Sequence, residues 1–264
     1  MTTVLGSSLF DRKAVFWPLR LFAVIATAVL LVVPVLAQGE SDPTADAVAL
    51  FQKAQDLHEK GDLQAAIELY EKAIAAIGDF PEAEYQRGHA LLALGRDAAA
   101  ERAFRRAVET RPDWTLALAN LGSILVGKGA YPEAEKLLLK AISLDDQNTV
   151  AYSALVELRL NSKAPAEELK QLLVRVTALT SGARTTAAAW AAKAALERAL
   201  GQKAAAKASL ENALALDPKN RFALTSKASA AIDDGDIRGA EPLVHSLESI
   251  APTSSSVKAL RARI

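Results

Sequence analysis

The amino-acid sequence repeats itself with a period of 34 residues from about Ala47 to Ser254. When blocks of this length are aligned, five of the six blocks have a small residue at the eighth place, a glycine at the fifteenth and an alanine at the twentieth. A period of this length is typical of stacked supersecondary units, each of which needs its neighbours to bury its apolar side. The three columns contain, in turn, Ala54, Gly88, Gly122, Ala194 and Ala228; Gly61, Gly95, Gly129, Gly201 and Gly235; and Ala66, Ala100, Ala134, Ala206 and Ala240.

Each block predicts two amphipathic α-helices that are separated at the central glycine. In the first block, Leu50, Ala54 and Leu57 recur at spacings of three and four residues before Gly61, and apolar residues continue at the same spacings after it. Glycine adopts the left-handed conformation that ends a helix, and an aspartate after it, such as Asp62, caps the next helix. Small residues at the helix crossing let the two backbones approach closely.

These columns resemble the tetratricopeptide repeat, and the resemblance extends over about 210 of the 264 residues. It implies an all-α fold, which we expect to be a right-handed α-solenoid of about six helix-turn-helix repeats. The predicted array spans 47–254 and is followed by a short capping helix over 255–264, because Val257, Leu260 and Ile264 form a narrow apolar stripe. Its predicted parts are 47–80, 81–114, 115–148, a degenerate block 149–182, an insertion 183–186, 187–220 and 221–254.

Two places depart from the repeat pattern. The fourth block has Val156, Lys163 and Glu168 where the signature residues should stand, and four extra residues follow it, so we predict a hinge at that junction. In the last block, Pro242 lies several residues inside the expected second helix. Because proline disfavours a helix interior by about 3 kcal/mol, this helix is expected to kink or to start late.

The first 37 residues resemble a secretory signal. Arg12, Lys13 and Arg20 precede an apolar run of 17 residues from Leu21 to Ala37. We expect cleavage after Ala37, and an uncleaved membrane anchor over 1–37 is the alternative, because the run is at the lower limit for crossing a bilayer. Basic residues before the run and acidic residues after it place the repeats outside the cytoplasm in either case. Residues 38–46 are predicted to be a linker.

Composition and motifs argue against catalysis. Residues 38–264 contain 28 basic and 30 acidic residues, because 1–37 account for three of the 31 basic and one of the 31 acidic ones, so nucleic acid is not an expected partner. The chain has no cysteine and no phosphate-binding or hydrolase motif. His58 and His89 could approach each other, but a metal would need a third ligand from Glu59 or Asp62, so we predict no metal, cofactor or enzymatic activity.

The predicted binding surface is the groove formed by the first helices of the repeats. The resemblance implies that this concave face binds extended peptides or partner helices. Helical phase then selects the residues about a quarter turn from the buried stripe, whose aromatic and amide side chains suit a peptide. The predicted protein-binding residues are Phe51, Gln52, Gln55, His58, Tyr85, Gln86, His89, Asn120 and Ser123.

Two interpretations of the groove remain open from the sequence. Phe51 and Tyr85 either anchor a ligand or pack along the groove floor. In block five the same face has Ala188, Ala191, Ala192 and Ala195, which offer little to hold, so binding is expected in the N-terminal half. The family subclass that clamps a C-terminal carboxylate is excluded, since Phe51 and Gln55 replace its first lysine and asparagine.

The sequence therefore predicts an exported, noncatalytic adaptor or assembly factor of the cell envelope. Its partner is expected to be a protein or peptide, and the membrane is involved only through the N-terminal segment if that segment is retained. The alternative function is a membrane-anchored structural module of a secretion or cell-wall synthesis complex. The expected location is the periplasm, or the outer side of the inner membrane if residues 1–37 remain as an anchor.

Overall fold

The computed structural model describes residues 42–182, 185–250 and 255–264, and these parts form thirteen α-helices and no strand. No helix among these residues is long and apolar enough to cross a membrane. The predicted signal or anchor over 1–37 lies outside the described residues. The helices are α1 Pro43–Glu59, α2 Leu63–Ile77, α3 Pro81–Ala93, α4 Asp97–Thr110, α5 Thr115–Gly127, α6 Tyr131–Leu144, α7 Thr149–Asn161, α8 Ala166–Thr180, α9 Ala187–Ala199, α10 Lys203–Leu216, α11 Arg221–Asp233, α12 Ile237–Ile250 and α13 Ser255–Arg263.

Helices α1 to α12 follow one another as six pairs, and α13 packs against α11 and α12 at the end of the array. In five pairs the two helices pack closely against each other, and each pair contacts the next. This arrangement confirms the predicted all-α helical-repeat solenoid. We refer to the pairs below as repeats one to six.

The column of small residues marks the place where the two helices of a repeat cross. A Cβ atom added to Gly122 of α5 would lie 2.7 Å from Leu138 Cδ2 of α6, and one added to Gly88 of α3 would lie 2.8 Å from Phe104 Cζ of α4. Leu138 and Phe104 are both fully buried. The bulky side chain of the second helix therefore occupies the space that the small residue of the first helix leaves.

The turn inside each repeat needs a left-handed residue, as the sequence predicts. The glycines of the fifteenth column have φ between 70° and 83°. In repeat four the same place is occupied by Lys163, with φ of 55°. The predicted cap is also present, because the Asp62 carboxylate accepts a hydrogen bond from the Ala65 amide at 3.4 Å. Asp236 accepts one from Gly239 at 2.9 Å at the start of α12.

One predicted boundary is wrong, and for α12 one of the two expected outcomes is excluded. Helix α1 begins at Pro43, so residues 43–46 belong to the helix and not to the linker predicted over 38–46. The Asp42 carboxylate accepts a hydrogen bond from the Thr44 amide at 2.9 Å. Pro43 fits the first helical turn because the backbone N–H that proline lacks would have no intrahelical acceptor there. Helix α12 begins at Ile237 and includes Pro242, so it does not start late.

In the degenerate repeat four, the two helices α7 and α8 pack loosely against each other. The predicted hinge, which follows α8, is not the place where packing is weakest. Val156 is fully buried at the place of the small residue, and α8 packs more closely against α9 of the next repeat than against α7. One apolar core runs from Ile67 in α2 to Leu196 in α9 and includes Leu179, the last large apolar residue before the junction. The core is therefore continuous across the insertion, of which residues 183 and 184 lie outside the described residues.

The buried core is divided further along the chain instead. Leu210 of α10 belongs to a small cluster made largely of alanines, and Leu224 of α11 belongs to a separate cluster with Val244 and Leu260. Ala223 of α11 belongs to the cluster of Leu210, so the divisions of the core lie within repeats five and six and not at the boundary between them.

Candidate protein-binding groove

The nine predicted binding residues lie on α1, α3 and α5, the first helices of repeats one to three. We call the surface that carries them the candidate groove. Gln52 is exposed, and the other eight side chains are half-buried. By contrast, Ala191 and Ala192 of α9 are buried in the core, as is Ala119 of α5, so these three residues are not part of a groove.

Phe51 packs within an aromatic cluster of repeat one. Its ring centroid lies 5.8 Å from that of Tyr70 and 5.0 Å from that of Phe80. Tyr70 is fully buried, and its hydroxyl lies 3.4 Å from Nδ1 of His58. Burial and the nearby charge of Glu59 raise the pKa of Tyr70 to about 12, so its hydroxyl stays protonated and polar at neutral pH.

Tyr85 occupies the centre of a second cluster. Its ring lies 4.5 Å from Trp114, 4.6 Å from His89 and 5.6 Å from Phe104, centroid to centroid. Its hydroxyl accepts a hydrogen bond from the Asn120 amide nitrogen at 3.3 Å, which joins repeats two and three. Burial raises the pKa of Tyr85, and the Asn120 amide partly offsets that rise.

His89 packs against aromatic rings and lies within electrostatic reach of His58. Its ring lies 5.2 Å from that of Phe104, nearly at a right angle. Burial and, secondarily, the proximity of His58 lower the pKa of His89, so the imidazole is uncharged at neutral pH. In the described part of the chain, no three His, Asp or Glu side chains converge as metal ligands.

The structure brings some of the predicted residues together and separates others. Tyr85 and Asn120 are joined by a direct hydrogen bond, and His58 lies close enough to His89 to affect the pKa of its imidazole. Phe51 and Tyr85 each pack in their own repeat. Both rings rest on buried rings, as a groove floor would, yet both keep part of their surface exposed.

Phe80 and Trp114 complete the two clusters and are not among the residues predicted from the sequence. Both are the last residue of their 34-residue block and precede the next first helix, α3 or α5. The last place of the block carries a signal that could have identified them. It is aromatic in blocks one and two, whereas blocks three and five have the helix-capping residues Asn148 and Asn220 there. Arg111 lies over the Trp114 ring at 5.1 Å.

Comparison with known proteins agrees with this architecture. Two family models, both described as tetratricopeptide repeat, match residues 57–124 and 197–264 in one case and residues 117–150 in the other. The chain therefore belongs to the tetratricopeptide repeat family. No curated protein matches the sequence.

Solved structures share the fold at low sequence identity. A tetratricopeptide repeat protein from Parabacteroides merdae aligns with a TM-score of 0.65 at 16% identity, over 82% of this chain and 83% of that one. A chain of the APC/C hetero-tetramer Cut9-Hcn1 aligns with a TM-score of 0.64 at 18% identity, over 83% of this chain and 42% of that one, so this protein matches less than half of the latter. PilW, a type IV pilus biogenesis factor, aligns with a TM-score of 0.58 at 16% identity, over 81% of this chain and 98% of that chain.

Proposed function

We propose that this protein is a noncatalytic adaptor or assembly factor of the cell envelope that binds a partner peptide or helix in the candidate groove. The fold supports the general role, because tetratricopeptide solenoids are scaffolds for protein–protein interaction. PilW, a type IV pilus biogenesis factor, has the same fold. Export rests on the charges around the apolar run at Leu21–Ala37.

One observation carries the choice of the candidate groove. Asn148 and Asn220 cap α7 and α11 by accepting hydrogen bonds from Ala151 and Ala223 at 2.9 and 3.0 Å. Phe80 and Trp114 occupy the same place before α3 and α5 and make no side-chain cap. A cap stabilises a helix by about 1 kcal/mol, so α3 and α5 of repeats two and three give up that stabilisation and gain aromatic surface beside the groove. Half-exposed aromatic rings surrounded by amide side chains are typical of protein-binding sites.

The partner that fits this surface is a segment with apolar side chains and little net charge. The charged side chains beside Trp114 already form pairs, since Arg111 contacts Glu82 at 3.0 Å. Leu116, which is 43% exposed, extends the apolar surface along α5, and its carbonyl accepts a hydrogen bond from Asn120 at 2.9 Å. The remaining groove side chains are mostly neutral amides, which bond a peptide backbone without requiring a charge on the partner.

Capture of partners by crosslinking in the cell envelope tests this proposal. Because Phe51 and Tyr85 pack on buried rings, changes there would affect stability as well as binding, so we choose Gln52→Arg with Gln86→Arg. These changes put bulk and charge into the candidate groove without opening the core, and capture should fall at least tenfold. Gln64→Arg with Gln171→Arg, on the exposed faces of α2 and α8, is the matched control. If the folded groove variant and the folded control variant captured the partner equally well, the proposal that the candidate groove binds the partner would be wrong.

A separate experiment tests the location. A reporter that is active only in the cytoplasm, fused after Ile264, should remain inactive, and activity would contradict export. N-terminal sequencing of the mature protein distinguishes the cleaved adaptor from the alternative, a membrane-anchored structural module of a secretion or cell-wall synthesis complex. Retention of residues 1–37 would favour that alternative.

A further inference from the structure

A cavity of about 1120 Å³ lies between repeats five and six, far from the candidate groove. We call it the C-terminal cavity. Helices α9 to α12 line it, mainly with small and aliphatic side chains such as Ala195, Ala230, Leu210 and Leu243. Phe222, which is 41% exposed, stands at its edge. Its volume is slightly above the range typical of small-molecule sites, which is about 300–1,000 Å³.

The cavity arises from a change in one repeat column. The eleventh place of blocks one to three is occupied by Leu57, Leu91 and Leu125, whereas block six has Ala231 there. Leu91 and Leu125 are buried, and Ala231 lines the C-terminal cavity instead. The shorter side chain leaves space beside α11 that a leucine would fill.

A second column reverses the charge at the same junction. Glu101 and Glu135 at the twenty-first place of blocks two and three pair with Lys128 and Arg159 of the following repeats, each at 2.5 Å. Block five has Lys207 at this place, and it lines the cavity without joining the next repeat.

The remaining charges around the cavity are mostly neutralised. Arg198 pairs with Asp233, and Lys203 pairs with Asp234 at 3.2 Å. Asp236 caps α12. Within the described residues, three charged groups of the lining form no ion pair or hydrogen bond, namely Lys207, Lys227 and Glu211. These two cations and one carboxylate are the charged groups without a partner in a lining that contains four basic and four acidic side chains in all.

We propose that the C-terminal cavity binds an aliphatic carboxylate, with its hydrocarbon chain among the alanines and its carboxylate at Lys207 and Lys227. Removal of the chain from water supplies the driving force, at about 0.8 kcal/mol per buried CH₂ group. The two lysines neutralise a charge that would otherwise lose its hydration. This site is independent of the candidate groove, so either can be wrong while the other stands.

Isothermal titration of the full chain with decanoate tests the proposal, with decylammonium and acetate as comparison ligands. Decanoate should bind with saturation at one molecule per chain, while decylammonium and acetate should bind at least tenfold more weakly. The double variant Lys207→Gln with Lys227→Gln should bind decanoate at least tenfold more weakly than the wild type. Lys53→Gln with Lys72→Gln, on the exposed faces of α1 and α2, should leave decanoate binding unchanged.

Ala231→Leu provides the steric test, because it restores the leucine of blocks one to three and fills part of the cavity. It should abolish decanoate binding while the protein keeps or raises its melting temperature. Equal binding of decylammonium, or unchanged decanoate affinity in Lys207→Gln with Lys227→Gln, would overturn the proposal. The proposal would also be overturned if the wild-type protein did not bind decanoate and Ala231→Leu raised the melting temperature. The cavity would then be only a packing defect.

Discussion

The close crossing of α5 and α6 makes a specific prediction about Gly122. In Gly122→Ala the new methyl group would lie 2.7 Å from Cδ2 and 2.8 Å from Cγ of Leu138. Leu138 is fully buried, so its side chain can make room only by shifting within the packed core. Such overpacking costs about 1–3 kcal/mol, whereas alanine gains up to about 1 kcal/mol over glycine in helix propensity. The expected result is a net destabilisation of about 1 kcal/mol.

Gly127→Ala in the same helix is the matched control. A methyl group at Gly127 would have no atom within 4 Å, so this variant reports helix propensity alone. The difference in unfolding free energy between the two variants should be about 1–3 kcal/mol. In a chain of this size each kcal/mol shifts the melting temperature by about 2–4 °C, which is within reach of thermal unfolding followed by circular dichroism.

A double-mutant cycle separates overpacking from other effects. If the clash with Leu138 is the cause, Gly122→Ala should cost less when it is combined with Leu138→Ala, because the two changes affect the same contact. If Gly122→Ala is as stable as Gly127→Ala, or if the cycle shows no coupling, the proposed reason for the small-residue column is wrong.

Three further predictions concern single residues. Lys163→Gly should raise the unfolding free energy by up to about 1 kcal/mol, because glycine adopts φ of 55° without strain, and urea unfolding would detect it. Ala134→Leu should lower the melting temperature while Glu168→Leu at the same column changes it little, since Ala134 is fully buried and the Glu168 side chain is 52% exposed. His89 has a folded-state pKa below its unfolded value, so its contribution to stability is present above about pH 6.5 and is lost as the pH falls below it. The decrease in melting temperature from pH 7.5 to 5.5 should therefore be smaller in His89→Gln, and an undiminished decrease would contradict this origin.

The repeat fold could be predicted from the sequence because each of its constraints is local. A glycine such as Gly61, the Asp62 cap and the small residue at each crossing lie within one 34-residue block and recur in the next. Where the column changes, the structure changes with it, as the buried Val156 in repeat four shows. Helix ends were less predictable, since Asp42 caps a helix that starts before the apolar pattern does.

The groove and the cavity were harder to predict because they depend on contacts between repeats. Helical phase placed Ala191 and Ala192 on an open face, but a first helix inside a solenoid contacts its own partner and both neighbouring repeats, which leaves only a narrow exposed strip. Trp114 lies outside the helix faces and reaches the groove from the end of a loop. The change to Ala231 that accompanies the C-terminal cavity is visible in the sequence, but the sequence does not show that α9 to α12 leave an open space around it.

The terminal helix α13 bears on the order in which the array unfolds. Arg261 donates to Glu248 at 2.7 and 2.8 Å and to Glu241 at 2.5 Å, and Arg263 pairs at 2.5 Å with Asp233, which also contacts Arg198. In a linear array, cooperativity passes only between neighbouring repeats. Repeat six contacts repeat five through Ala223, which belongs to the same small core cluster as Leu210, and through exposed ion pairs, which salt screens. Salt therefore weakens the attachment of repeat six and α13, and we expect unfolding of this end of the array to respond most to ionic strength.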